Sequence, residues 1–203
     1  MKRIFGFTEI IGILTFFSFL SNKLHTDVYK VDANQSSLEW IGEKITGKHN
    51  GTIKFISGEI KNNHGSIHGV FEFDMTSIEC QDLEPGPNKT KLETFLKPSN
   101  FFDAALFPKS QFIITSVTPL KETNVGTNTH TIKGLLTIKD KTNEISFGAK
   151  LTLQGNRFSC LGIATIDRTK FDIKYRSKTF FPDIGDKMIY DEFTLKFNVV
   201  ANK

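Results

Sequence analysis

The alternation of apolar and polar residues predicts a chain built mainly of β-strands. Apolar residues or glycine occupy every second position over residues 67–75, 132–138, 145–153 and 193–199. A period of two places such side chains on one face of an extended strand. With the shorter runs between these segments, the pattern predicts roughly eight antiparallel strands.

Short polar and glycine-containing groups mark the expected turns between the strands. The Asn50-Gly51 pair is the strongest hairpin signal, because both residues tolerate a positive φ. Residues 62–65, residues 140–142 and the Gly155-Asn156 pair are further turn candidates. Short antiparallel strands of this kind form a sandwich or a barrel, and a barrel is favoured because closure removes exposed edges.

Residues 85–108 interrupt the strand pattern with helical spacing. Leu92, Phe95 and Leu96 predict a short helix that ends before Pro98. Ser99 can cap a second short helix, which would end at Pro108. The sequence therefore predicts a helical insert in an otherwise all-β chain.

Residues 158–176 are the least regular part of the predicted sheet. Residues 158–167 are apolar on both parities, which predicts a strand covered on both faces. Residues 167–176 then alternate and predict a strand with a charged outer face. In the functional interpretation, Arg168 or Lys170 lies at a barrel mouth and binds a phosphate or another polar head group.

Phenylalanine dominates the apolar residues, with 20 copies against one tryptophan and three tyrosines. A barrel lined by such rings is either a filled core or a container for an apolar ligand. Strand parity and the helical insert place ten rings where they can face inward, although parity does not separate a cavity wall from an ordinary core. These candidate ligand-binding residues are Trp40, Phe55, Phe71, Phe73, Phe101, Phe102, Phe112, Phe147, Phe193 and Phe197.

The N-terminus has the pattern of a secretory signal peptide. Lys2 and Arg3 precede an apolar run over residues 10–20, which is too short to span a bilayer. We expect a signal peptide over residues 1–24 and one domain over residues 25–203, with an uncleaved membrane anchor as the alternative.

Charge and cysteine content narrow the possible functions. The net charge of +4 is spread along the chain, which argues against nucleic acid as the main partner. Cys80 and Cys160 are the two cysteines, and each lies in or beside an apolar segment. Two free thiols are favoured over a disulfide because the sequence alone does not show that the two residues face each other.

No sequence motif predicts a catalytic centre. His64 and His68 could join His49 or His130 in a metal site, but their spacing matches no metal-binding signature. Exposed or turn histidines are the favoured interpretation. Nucleophile and phosphate-binding motifs are missing from the sequence. We therefore expect no catalytic residue, no metal and no cofactor.

Short motifs follow one another along the mature chain in a characteristic order and spacing. They are Tyr29-Lys30-Val31-Asp32, Ser36, Leu38, Trp40, Lys48-His49-Asn50-Gly51, Ser57-Gly58-Glu59-Ile60, Asp74-Met75-Thr76-Ser77-Ile78, Leu96-Lys97, Phe101-Phe102-Asp103, Phe107-Pro108, Gly134, Leu136-Thr137-Ile138-Lys139, Asp167-Arg168-Thr169-Lys170-Phe171, Tyr175, Ser177, Phe180-Phe181 and Gly185-Asp186-Lys187. Together they resemble the YceI-like family of polyisoprenoid-binding periplasmic proteins. Phe95 and Asn100 depart from the usual residues, which puts polar contacts at that end of the insert in doubt.

The resemblance implies an extended lipocalin-like antiparallel β-barrel of about eight strands, with the helical insert near its opening. It implies non-catalytic binding or transport of an isoprenoid or fatty-acid-like lipid by a periplasmic or secreted protein. A transient membrane contact and a homodimer stay open. The alternatives are a filled barrel that acts as an interaction or stress-response module, and a metal-dependent enzyme that uses His49, His64 or His68.

Overall fold

The structure is a computed structural model that describes residues 26–121 and 127–203. The expected signal peptide lies outside the described residues. The strands are β1 (Thr26–Val31), β2 (Ser37–Lys44), β3 (Gly47–Asn63), β4 (Ser66–Cys80), β5 (Lys109–Pro119), β6 (His130–Ile138), β7 (Lys141–Gln154), β8 (Arg157–Asp167) and β9 (Ile189–Asn202). In the described part, helix α1 (Pro87–Leu96) and the 3-10 helices Arg168–Phe171 and Gly185–Lys187 complete the list.

The strands close into one antiparallel barrel. Each strand from β2 to β9 pairs with the next along the chain, and β9 pairs with β2. Strand β1 lies between β3 and β9, as β2 does, because it pairs with the second half of β3 and with the end of β9. The two strands therefore share one position in the barrel. Eight strand positions therefore surround the interior, and the predicted eight-stranded barrel is confirmed.

Asn50 and Gly51 do not form the turn that their sequence predicts. Both lie within β3, and the connection from β2 falls at residues 45–46. Packing explains this glycine, because a Cβ at Gly51 would lie 1.8 Å from the Glu79 carbonyl oxygen and 2.6 Å from the Trp40 ring. The residue therefore provides bare backbone on which Trp40 rests, as glycines inside strands often do.

The remaining turn signals are close to their predicted places. Strand β3 ends at Asn63, where His64 and Gly65 adopt φ values of 50° and 92°. Gly155, with φ 57°, begins the turn between β7 and β8. The turn between β6 and β7 begins at Lys139, with φ 57°, which is one residue before the predicted turn at residues 140–142.

Strand β8 is covered on one face, so the prediction of two covered faces was wrong. Leu161 and Ile163 point outward and are 56% and 57% exposed, whereas Cys160 and Ala164 are buried inside the barrel. The described chain that follows β8 crosses the end of the barrel and leaves this outer face open to solvent.

Residues 168–176 were predicted as a strand and instead belong to an irregular insert, residues 168–188, which we call insert 2. The chain leaves strand geometry after Asp167, and Asp172 and Arg176 adopt left-handed φ values of 59° and 51°. Phe171 and Ile173 are still fully buried. The alternation therefore predicted the buried residues correctly, but it predicted a strand where the backbone is irregular.

The connection from β4 to β5, residues 81–108, is insert 1. It contains α1 as predicted. The prediction of a second short helix was wrong, because residues 97–108 form turns and bends. Asp103, at φ 49°, interrupts any helix there. Both inserts follow strands that end at the same side of the barrel, which we call the insert end.

Candidate functional site

A narrow cavity of about 160 Å³ lies inside the barrel. Residues of all eight strands from β2 to β9 border it, together with residues of insert 1 and Arg168 of insert 2. Each of the ten aromatic candidates from the sequence lies along its wall: Trp40, Phe55, Phe71, Phe73, Phe101, Phe102, Phe112, Phe147, Phe193 and Phe197. Their contact with a ligand stays a prediction.

Four rings form a continuous layer across the middle of the cavity. The ring centroids of Phe71 and Phe112 are 6.3 Å apart, those of Phe112 and Phe147 5.7 Å, and those of Phe147 and Phe197 5.2 Å. These spacings lie in the range of favourable aromatic contacts. The layer therefore holds its rings in fixed positions and gives the cavity a stiff hydrocarbon wall.

Glycines opposite these rings keep the cavity hollow. Gly162 pairs with Phe197 across strands β8 and β9, and a Cβ there would lie 2.5 Å from the tip of the Phe197 ring. A Cβ at Gly134 would lie 2.4 Å from the tip of the Phe112 ring. Because no side chain occupies these positions, the rings lie back against the wall.

A second group of rings forms a roof at the insert end. Phe102 contacts Phe101 at a centroid distance of 5.1 Å and Phe193 of β9 at 6.4 Å. Phe95 of α1 contacts Phe101 at 5.9 Å and Tyr175 of insert 2 at 4.8 Å. The roof thus joins both inserts to the barrel and closes part of this end.

The cavity reaches the surface between β2 and β9. Glu43, Tyr190 and Glu192 border it and are exposed, so they define a mouth beside the roof. Their strands are separated by a bulge: Gly42 pairs with Phe193, whereas Lys44, two residues on, pairs with Ile189. A bulge bends a strand and leaves backbone groups unpaired, which suits the rim of a barrel.

Arg168 closes the hydrogen bonds that this bulge leaves open. Its Nε donates to the carbonyl oxygen of Tyr190 at 3.0 Å, and its Nη2 donates to that of Ile189 at 3.0 Å. Nη1 donates to the Ile173 carbonyl at 2.7 Å, and Nη2 also reaches Asp191 Oδ1 at 3.0 Å. The residue is only 2% exposed, and burial lowers the pKa of its guanidinium.

The head-group role expected for Arg168 and Lys170 stays a prediction, and the geometry does not favour it. Four donor contacts of Arg168 already go to protein acceptors, and these connect insert 2 to the rim of the barrel. Lys170 is exposed and does not border the cavity. Sequence reasoning did not indicate Glu43 and Glu192, which border the same cavity as Arg168.

The histidines do not converge on the cavity. His64 and His68 are exposed and lie at the end of the barrel opposite the inserts, far along β3 and β4 from His49. His49 instead lies beside Cys80 and Asp82, a cluster that sequence spacing did not indicate. Cys80 and Cys160 are both buried free thiols, as expected. In the described chain, no helix is both long enough and apolar enough to cross a membrane.

Comparison with known proteins identifies the family. The model of the YceI-like domain matches residues 29–201. BcnA of Burkholderia cenocepacia is 20% identical, with a TM-score of 0.65 over 85% of this chain and 99% of that one. A polyisoprenoid binding domain from Saccharophagus degradans, implicated in plant cell wall breakdown, is 12% identical, with a TM-score of 0.56 over 86% of this chain and 97% of that one. These two likenesses concern the fold. Comparison with curated proteins gave no match.

Proposed function

This chain belongs to the YceI-like family, and on that premise we propose that its barrel binds an isoprenoid or another long-chain lipid without catalysing a reaction. The observation that carries the proposal is the ring-lined cavity, whose wall is almost entirely hydrocarbon. Ser110, a buried polar residue of the wall, donates its hydroxyl to the Thr137 carbonyl at 2.6 Å. Such a wall favours burial of an apolar chain, at about 25 cal/mol per Å².

The cavity volume sets a condition on this binding. About 160 Å³ is close to an engineered cavity of roughly 150 Å³ that holds one benzene. A long chain therefore needs the roof rings to move. Phe102 is the half-buried ring between insert 1 and β9, so we propose that its displacement admits the ligand.

The mouth favours a ligand whose polar end is neutral. Glu43 and Glu192 are exposed acidic residues beside it, and the Arg168 donors described above are engaged. Carboxylates repel phosphate, whereas they accept hydrogen bonds from a hydroxyl group. We therefore propose a hydroxyl-bearing ligand over a phosphorylated one.

We further propose that the protein is exported to the periplasm or secreted, on the basis of the basic and apolar pattern in residues 1–24. In that compartment a barrel of this kind meets lipids at membrane surfaces, so a transient membrane contact accompanies the proposal.

Native mass spectrometry of the exported protein, followed by organic extraction and lipid analysis, tests the function. A stoichiometric isoprenoid-like species would support it, and the same spectrum reports the number of chains in the complex. A bare protein mass that does not change after incubation with a long-chain isoprenoid alcohol would contradict it.

The second candidate is a filled barrel that acts through its outer surface, and the modest cavity volume favours it. In that case Phe102→Ala would enlarge the interior without creating uptake of the same isoprenoid alcohol. Uptake by the unmodified protein distinguishes the two candidates directly.

A further inference from the structure

We propose that His49, Cys80 and Asp82 form a binding site for a divalent transition-metal ion, with Zn²⁺ as the best-fitting occupant. The three side chains bring together an imidazole, a thiol and a carboxylate, and their ligand atoms all lie within 4.8 Å of one another. His49 Nδ1 lies 2.9 Å from Asp82 Oδ2, and Cys80 Sγ lies 3.2 Å from Asp82 Oδ1.

The backbone fixes these residues independently of any metal. His49 lies in β3 opposite Gly42 of β2, and Cys80 is the last residue of β4. Asp82 begins insert 1, where its Oδ1 accepts the backbone N–H of Asn50 at 2.9 Å. That bond would stay in place as an outer contact that orients the carboxylate, as metal ligands require.

The spacing is close to what a tetrahedral ion needs. Zn–S bonds of about 2.3 Å and Zn–N or Zn–O bonds of about 2.0–2.1 Å place ligand atoms about 3.3–3.6 Å apart. With Asp82 Oδ2 as the ligand, its distance of 2.9 Å from His49 Nδ1 is within about half an ångström of this value, and small side-chain rotations bring all three ligand atoms, which lie within 4.8 Å of one another, to it. A mixed sulfur, nitrogen and oxygen set suits Zn²⁺ or Co²⁺ and does not suit Mg²⁺ or Ca²⁺.

Charge and access also suit a dication. The thiol of Cys80 gives up its proton to solvent on binding, and the proton on His49 Nδ1 moves to Nε2, so the imidazole stays neutral. The ion, one thiolate and one carboxylate then sum to zero net charge, which limits the cost of burial. The side chains of His49 and Asp82 are 31% and 29% exposed, so the ion enters from solvent while the sulfur lies behind it.

The site would connect the base of insert 1 to the barrel wall. His49 belongs to the sheet, whereas Asp82 belongs to the segment that leads into α1 and the roof. A bound ion would therefore stabilise the folded chain and restrain insert 1. This inference does not depend on lipid binding, because none of the three residues borders the cavity.

Cobalt titration of the full chain, reduced and freed of metal by a chelator, tests the site. We expect one Co²⁺ per chain, a thiolate-to-metal charge-transfer band in the near ultraviolet, displacement by Zn²⁺ and a higher Tm with either ion. The band should vanish in Cys80→Ser and persist in Cys160→Ser, which replaces the other buried thiol. Affinity should fall at least tenfold in His49→Gln and stay unchanged in His64→Gln.

Asp82→Asn is a variant that we expect to fold, because asparagine has the shape of aspartate and its amide oxygen still accepts the Asn50 N–H. We expect Asp82→Asn to fold as the unmodified protein does and to bind Co²⁺ at least tenfold more weakly. The proposal is overturned if no stoichiometric binding occurs, if the band depends on Cys160, or if folded His49→Gln and Asp82→Asn both bind as the unmodified protein does.

Discussion

Replacing Gly162 by alanine should weaken lipid binding by pushing one ring into the cavity. The new Cβ would lie 2.5 Å from the tip of the Phe197 ring, whereas non-bonded carbons prefer about 3.5–4.0 Å. The ring must therefore move by roughly 1 Å, and the lumen is the open direction. In the empty protein this movement costs Phe197 part of its contact with Phe147, whereas in the complex the ring and the ligand also compete for one space.

The overpacking cost of about 1–3 kcal/mol then falls mainly on the complex, which predicts a 5- to 150-fold loss of affinity. The assay is displacement of a fluorescent long-chain isoprenoid alcohol, with urea unfolding as the measure of stability. Gly42→Ala is the matched control, because Gly42 also borders the cavity and a Cβ there meets no atom within 4 Å.

Removing the ring in the double variant Gly162→Ala/Phe197→Ala should restore much of the affinity lost in Gly162→Ala alone. The reasoning fails if Gly162→Ala binds the probe as tightly as Gly42→Ala does. It also fails if stability falls by as much as binding does, since the strain would then belong to the empty barrel.

Three further predictions test other parts of the site. Phe102→Ala should speed uptake and release of the isoprenoid probe about fivefold in stopped-flow fluorescence, since ring contacts contribute about 1 kcal/mol; unchanged rates would place the entrance elsewhere. Arg168→Met should lower the free energy of unfolding in urea by about 3–5 kcal/mol because it orphans buried acceptors, whereas exposed Lys170→Met should change it little. Burial raises the pKa of the Cys160 thiol from 9.0 to about 12, so the folded state holds a proton that the unfolded state loses. The free energy of unfolding, relative to that of Cys160→Ala, should therefore fall between pH 9 and 12 by about 4 kcal/mol in total. A difference between the two proteins in urea unfolding that does not change with pH would contradict this.

The barrel was predictable from the sequence because burial and strand geometry share one period. Residues 67–75 and 193–199 alternate without interruption, and each lies in a strand whose apolar face turns inward. The same parity placed the eight strand rings among the ten candidates along the cavity wall. Local periodicity is enough for such statements, since each depends only on which face a residue occupies.

Features that depend on contacts between distant segments were not predictable in this way. Gly51 gives the same signal whether it turns the chain or supports Trp40, and only the approach of Glu79 decides between them. The alternation after Asp167 reported the burial of Phe171 and not its backbone geometry. Arg168 carries a charge that suggested an exposed head-group contact, but the acceptors that bury it lie about twenty residues further along the chain.

The division between a stiff wall and a movable roof has a consequence for ligand choice. The middle rings pack against each other and against the bare backbone of Gly134 and Gly162, so this packing sets the width of the lumen. Its length is limited by the roof, where Phe102 is only half-buried. A site of this kind discriminates by cross-section and tolerates variation in chain length, because one methylene in an apolar pocket is worth only about 1–3 kcal/mol. We therefore expect affinities for isoprenoid alcohols of increasing length to rise and then level off, while bulky ring-bearing lipids bind weakly. Equal binding of slender and bulky lipids of similar hydrophobicity would show that the wall adapts, contrary to the glycine and ring packing.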